Sequence, residues 1–201
     1  MQNHDHGMIS FLIKRHFLWY RHLTRPTRTI GSIGGHNRLK LVFVILNSYD
    51  TSTMDITLPP DFKEFLKLFN DHNVRYLLIG GYAVGYYGYP RATNDMDVWV
   101  ACDPENARRV TAALKAFGFD TPELSPNLFL DDNIIRMGVP PLRIEILTTI
   151  SGVAFDECYA ESVQEEFDGV ALRLISLPRL RQNKQASGRH KDLDDLEHLP
   201  A

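Results

Sequence analysis

Residues 79–100, IGGYAVGYYGYPRATNDMDVWV, place a glycine pair and an acid pair at the two ends of one short connection. The apolar run at residues 74–79 predicts a buried strand that stops at Gly80 and Gly81. A short helix is expected next, and residues 96–101 predict a second strand. The two acids stand where that second strand begins.

The acid pair is Asp95 and Asp97, two residues apart. In an extended chain, residues at that spacing point to the same face. Two carboxylates placed so close repel each other unless a cation neutralises them. Mg²⁺ suits such a pair, because it binds one or two carboxylates together with substrate phosphates. The alternative is a solvated loop pair in which Asp95 caps a turn.

A third acid, Glu145, lies in the apolar stretch LRIEIL at residues 142–147, where it shares a strand face with Arg143. An acid within such a strand is costly to bury unless it is paired or binds a metal. If this strand lies beside residues 96–101, Glu145 completes a cluster of three carboxylates. The alternative is an ion pair with Arg143 or Arg91.

The glycine pair, Gly80 and Gly81, follows a strand and precedes a helix. Such a turn lets backbone N–H groups and the positive end of the helix approach an anion closely. A glycine pair in this position is often only a tight turn. Together with the acids about fifteen residues later, however, it predicts a site for a metal and a triphosphate.

The rest of the chain predicts a mixed α/β or α+β plan without internal repeats. Asp61 is expected to cap a first helix, and Asp103 with Pro104 to start another. The further strands are expected at residues 134–137, 142–147 and 170–174. The further helices are expected at residues 155–163, 177–186 and 190–199.

Two stretches together resemble a known family. GGYAVGYYGYPRATNDMDVWV is similar to the nucleotidyltransferase signature of the DNA polymerase β superfamily. The C-terminal stretch NKQASGRHKDLDDLEHL, residues 183–199, resembles small prokaryotic members related to abortive-infection and toxin–antitoxin enzymes. The likeness runs from about residue 61 to residue 199.

The resemblance implies an α+β fold: a mixed sheet flanked by helices, with closing C-terminal helices. It implies transfer of a nucleoside monophosphate from an NTP to an RNA, such as tRNA, or to a protein hydroxyl. Asp95, Asp97 and Glu145 would bind Mg²⁺ or Mn²⁺, with Glu145 helping to activate the acceptor. The third position is usually Asp in that family, so the longer Glu145 leaves catalytic activity open.

The same resemblance implies contacts with the nucleotide. Gly80 and Gly81 would contact the triphosphate, Lys184 would approach phosphate oxygens, and Asp192 would be the acid of the closing motif. Other residues could contact phosphate or serve only local structure: Arg91 and Arg189 as ion-paired arginines, Thr93 as a partner of the loop backbone.

The charge divides the chain near Met54. Residues 1–54 carry a net charge of +5 and the remainder −8, within a total of −3. We expect residues 1–53 to be a basic extension, disordered or a mis-assigned start, and residues 54–201 to be the nucleotidyltransferase domain. Only Cys102 and Cys158 are present, which favours a reducing, cytoplasmic setting. The longest unbroken apolar run is far below the ~20 residues of a membrane span.

Three functions compete at this point. The first is the metal-dependent transferase, with a cognate antitoxin as one expected partner. The second is a degenerate transferase that binds a nucleotide or a protein without turnover. The third is nucleic-acid binding by the basic extension, which predicts strongly salt-dependent affinity. The sequence leaves open the acceptor, the preferred NTP and the oligomeric state.

Overall fold

The computed structural model describes residues 7–11, 58–93, 95–139 and 142–201. The basic extension predicted for residues 1–53 therefore lies outside the described residues, apart from a five-residue strand at residues 7–11 that pairs with the sheet edge. The boundary near Met54 stays a prediction.

Within the described ranges, seven strands form one mixed sheet in the order β1-β4-β5-β3-β2-β7-β6. The strands are β1 (Gly7–Phe11), β2 (Tyr76–Leu78), β3 (Asp95–Val100), β4 (Asn133–Val139), β5 (Leu142–Leu147), β6 (Val163–Phe167) and β7 (Val170–Leu174). At the centre, β3 runs parallel to β5 and antiparallel to β2. Strand β3 therefore lies between β2, which leads into the diglycine turn, and β5, which carries Glu145.

Helices accompany this sheet. They are α1 (Pro60–Asp71), α2 (Gly80–Tyr86), α3 (Pro104–Ala116), a 3₁₀ turn (Pro126–Phe129), α4 (Phe155–Ala160), α5 (Leu177–Ser187) and α6 (His190–His198). Helix α1 packs against α3 and against β5 and β7, while α5 and α6 pack together at the end of the chain. The expected α+β class, a mixed sheet flanked by helices with two closing helices, is confirmed. Among the described residues, no helix combines the length and the apolar character that a bilayer crossing needs.

The first helix buries the face that its spacing predicts. Phe62, Phe65, Leu66 and Phe69 are all buried in the core. The expected cap at Asp61 is wrong: the helix begins at Pro60, a residue suited to the first helical position, and Asp61 lies inside the first turn. Helix α3 starts as predicted, with the Asp103 carboxylate accepting hydrogen bonds from the backbone N–H groups of the first turn.

Strand β6 was not predicted from the sequence, which indicated a helix at residues 155–163. The structure ends α4 at Ala160 and pairs β6 with β7 in an antiparallel hairpin. Three of the five β6 residues are Gln or Glu, so their β-propensity is low. The missed signal is the turn Asp168-Gly169, whose residues both adopt positive φ, as the commonest hairpin turns require.

Candidate metal and nucleotide site

The three acids meet on one face of the sheet. In the parallel pairing of β3 with β5, Asp97 lies opposite Glu145 and Asp95 lies opposite Arg143. One carboxylate oxygen from each of Asp95, Asp97 and Glu145 lies within 4.8 Å of the others. The register thus brings together the acids that the sequence placed on two separate strands. Their role as metal ligands stays a prediction.

The diglycine turn lies directly against Asp97. The backbone N–H of Ile79 donates to the carbonyl of Asp97 at 3.0 Å, which fixes the turn beside the acid. Gly80 adopts a φ of +61°, and a Cβ added there would lie 1.9 Å from Oδ2 of Asp97. A Cβ added at Gly81 would lie 2.6 Å from Oγ1 of Thr93. Gly80 therefore lets the backbone approach Asp97, and Gly81 lets it approach Thr93, in the loop before β3.

Replacing Gly80 with alanine should damage this contact. Both the left-handed backbone and the overlap with the Asp97 side chain oppose the change, so we expect a loss of about 2–5 kcal/mol in the free energy of unfolding. Gly169→Ala is the matched control, because its φ is +74° but its added Cβ meets open space. That variant should lose only about 1–2 kcal/mol. Equal losses in urea unfolding of the two variants would contradict the close approach at Gly80.

The burial and the mutual repulsion of the three acids favour the binding of a cation. Burial raises the pKa of Asp97, and the charges of Asp95 and Glu145 raise it further, to about 7. Lys191 and Arg189, at the start of α6, act in the opposite direction on the same pKa. The first turn of this closing helix thus lies within electrostatic reach of the acids.

The donor set fits a hard divalent ion. Three carboxylates provide the oxygen ligands that Mg²⁺ and Mn²⁺ prefer. The absence of a side chain at Gly80 makes room for the Asp97 carboxylate, whose Oδ2 would lie 1.9 Å from a Cβ at that position. We therefore take Asp95, Asp97 and Glu145 as the residues that would hold such an ion.

Two arginines also reach the cluster. Nη2 of Arg143 lies 2.5 Å from Oδ2 of Asp95 and 3.0 Å from Oε1 of Glu145, and Nε of Arg136 donates to Oε1 of Glu145 at 2.8 Å. The ion pair expected for Glu145 thus forms with Arg143, and not with Arg91. The sequence reasoning missed Arg136. The two-residue connection between β4 and β5 was the signal, since counting across it pairs Arg136 with Glu145.

The closing helices are held by a chain of ion pairs. Nζ of Lys184 lies 3.0 Å from Oδ1 of Asp192 and 2.6 Å from Oδ2 of Asp195. Nε and Nη2 of Arg91 donate to the two oxygens of Asp195 at 2.5 and 2.8 Å. Nε of Arg189 donates to Asp192 at 2.6 Å. The chain joins the loop before β3 to both α5 and α6.

This network changes the expectation for Lys184. Its side chain is only 4% exposed and its ammonium is bound by two acids, so in this structure it holds the closing helices together. A contact between Lys184 and phosphate stays a prediction. Asp192 is one of these acids. Burial alone would raise the pKa of Asp192, but hydrogen bonds from Arg189 and Lys184 lower it to about 2.

For Arg91, Arg189 and Thr93 the sequence left two interpretations open, a contact with phosphate or a local structural role. Arg91 is an ion-paired arginine, held by Asp195. The Arg189 side chain is paired with Asp192 but 76% exposed, so part of it remains accessible to a ligand. The hydroxyl of Thr93 donates to the carbonyl of Asp95 at 3.1 Å, which is the backbone interpretation. Asp195 was missed, although it stands three residues after Asp192, on the same helix face.

Comparison with known proteins returns structures only. No family model matches the chain, and no curated protein does. The matching solved structures include a nucleotidyltransferase candidate from Thermotoga maritima, with 16% identity, a TM-score of 0.49, and coverage of 68% of this chain and 88% of that one.

Two further matches are of the same class. The antibiotic-resistance factor ANT(2'')-Ia has 16% identity, a TM-score of 0.45, and coverage of 68% of this chain and 79% of its own. An antigenic nucleotidyltransferase-like protein from Paracoccidioides brasiliensis has 16% identity, a TM-score of 0.42, and coverage of 68% and 72%. At such low similarity these matches carry no functional argument, so the support for a function comes from the acid cluster itself.

Proposed function

We propose that the chain is a metal-dependent nucleotidyltransferase that moves a nucleoside monophosphate from an NTP to a hydroxyl of an RNA or a protein. The observation that supports this most is the cluster of Asp95, Asp97 and Glu145 against the turn at Gly80. A cluster of acids on the sheet beside a backbone free of side chains suits a reaction that mainly requires positioning and charge neutralisation.

In the proposed reaction, the acceptor hydroxyl oxygen bonds to the α-phosphorus, and the bond from that phosphorus to the β-phosphate oxygen breaks. Pyrophosphate leaves with the electron pair of the broken bond, and Glu145 accepts the hydroxyl proton. Asp95 and Asp97, with Glu145, would hold Mg²⁺ or Mn²⁺, which supplies charge neutralisation at the attacking and leaving oxygens.

The protein's own groups would bind the nucleotide. Gly80 and Gly81 would let backbone N–H groups approach the triphosphate, and the exposed part of Arg189 would contact phosphate. Arg91 and Thr93 would hold the loop that precedes Asp95 in place, Arg91 through Asp195 and Thr93 through the carbonyl of Asp95. Lys184 and Asp192 would position the closing helices beside this loop.

A second candidate function is a catalytically degenerate module that binds a nucleotide or a partner. The observation that favours it is the pairing of Glu145 with Arg136 and Arg143, which partly balances the acids without any metal. NTP binding without turnover would support this candidate.

The deciding experiment is incorporation of label from each of four NTPs, with Mg²⁺ and either tRNA or cell lysate as acceptor. We expect wild-type protein to label an RNA or a protein with at least one NTP. Absence of label under all conditions would reject the transferase. A role beside a cognate antitoxin and a cytoplasmic location rest on the resemblance and the composition, and the genome neighbourhood would test the former.

A further inference from the structure

A single side-chain nitrogen occupies the space between two of the three acids. Nη2 of Arg143 lies 2.5 Å from Oδ2 of Asp95 and 3.0 Å from Oε1 of Glu145. Both acids are among the proposed metal ligands. The guanidinium therefore lies where a cation bound to these two oxygens, Oδ2 of Asp95 and Oε1 of Glu145, would lie.

The guanidinium and a divalent ion oppose each other there. Both are positive, and charges a few ångströms apart interact appreciably even with the screening near a protein surface. An ion bound to Oδ2 of Asp95 and Oε1 of Glu145 would also use the oxygens that Arg143 now engages. Simultaneous occupation in the present arrangement is thus disfavoured.

The other donors of Arg143 are incompletely used. Within the described part of the chain, its Nε is buried without a hydrogen-bond partner, and the ion pairs to both acids come from Nη2. A buried donor without an acceptor is unfavourable. Arg136 contacts Glu145 through its own Nε.

We propose that Arg143 is the resident counter-ion of the acid cluster, which leaves Asp95 and Glu145 when a divalent cation binds and then contacts a phosphate of the nucleotide. The inference rests on the proposed function, because it assigns a residue to the same site. Arginine suits both states: its planar fork binds carboxylates and phosphates with the same geometry. A phosphate can also accept from Nε, which the resting arrangement leaves unpaired.

The test is a titration of the full chain with Mn²⁺ alone, in the absence of nucleotide, by calorimetry. We expect Arg143→Gln to bind Mn²⁺ about tenfold or more tightly than wild type, because a repelling charge has been removed. With Mn²⁺ saturating, the same variant should bind a non-hydrolysable NTP about tenfold more weakly. A residue that only positions the acids would give the opposite metal result, a loss of about 10–100-fold in affinity.

Arg179→Gln is the matched control, because Arg179 likewise pairs with two acids, Glu157 and Glu161, on helix α4 and the residue that follows it. It should leave Mn²⁺ affinity unchanged. Arg143→Lys, which keeps the charge, should stay near wild type, and Arg143→Met serves as a second neutral variant if the glutamine variant does not fold.

Unchanged or weaker Mn²⁺ binding by the neutral variants would overturn the inference, as would absence of Mn²⁺ binding by every protein. Unchanged NTP binding would reject the phosphate contact. The metal titration needs no turnover, so wild type that transfers no nucleotide would reject the proposed function, while the Mn²⁺ comparison would still decide the role of Arg143.

Discussion

Asp97→Asn should abolish nucleotide transfer while the protein remains folded. Asp97 lies opposite Glu145 in the sheet, and its Oδ2 packs against Gly80, in the volume that a side chain there would need. Asparagine preserves the shape but removes the charge that a divalent ion would need. Loss of charge stabilisation at the reacting centre should lower the rate of label incorporation on the order of 10³-fold or more.

Although it loses activity, the Asp97→Asn variant should be at least as stable as wild type. Burial, and then the charges of Asp95 and Glu145, raise the pKa of Asp97, so a neutral side chain relieves both the desolvation of the charge and the repulsion within the folded protein. We expect its thermal unfolding midpoint to equal or exceed that of wild type. Asp120→Asn is the control, because Asp120 forms an exposed pair with Lys115. Retained transfer by the Asp97 variant would contradict a catalytic role for the cluster.

Lys184→Met should unfold far more easily than wild type. The substitution leaves Asp192 and Asp195 without the buried ammonium that both contact. Removing one partner of a buried ion pair typically costs about 3–5 kcal/mol. Because Asp195 keeps Arg91 and Asp192 keeps Arg189, we expect a loss near the lower end of that range. Urea unfolding should therefore show a loss of that size, with a correspondingly lower melting temperature.

The control for this prediction is Lys63→Met. Lys63 pairs with Asp168 at 2.9 Å, but both side chains are about one-third exposed. Such a surface pair should cost no more than about 1 kcal/mol. If Lys184→Met were as stable as wild type and only weakened NTP binding, the ammonium would be a phosphate ligand, as the resemblance implies, and the structural role would be wrong.

The local pattern was sufficient to predict the carboxylates of the site. Alternation along a strand places Asp95 and Asp97 on one face and sets Glu145 apart from its apolar neighbours. The same pattern identified the helix face built on Phe62. What it could not provide is the order of the strands, and it is the parallel pairing of β3 with β5 that brings Glu145 opposite Asp97.

The ion pairs were the least predictable feature, because the sequence does not distinguish a basic side chain that contacts a ligand from one that pairs with an acid. Lys184 was expected near phosphate, yet the packing of α5 against α6 buries it between two aspartates. Asp195 and Arg136 were missed because their partners lie on other elements. The local pattern likewise gave no reason to expect that Arg143 would span two of the proposed metal ligands.

The most direct test of the account is the anomalous difference density of crystals grown with Mn²⁺ and a non-hydrolysable NTP. The account predicts a peak within bonding distance of Asp95, Asp97 and Glu145, with the triphosphate at the diglycine turn and Arg143 turned away from Asp95. Density for Mn²⁺ elsewhere only, or none, with the arginine still on both acids, would contradict the metal site and the transferase built on it.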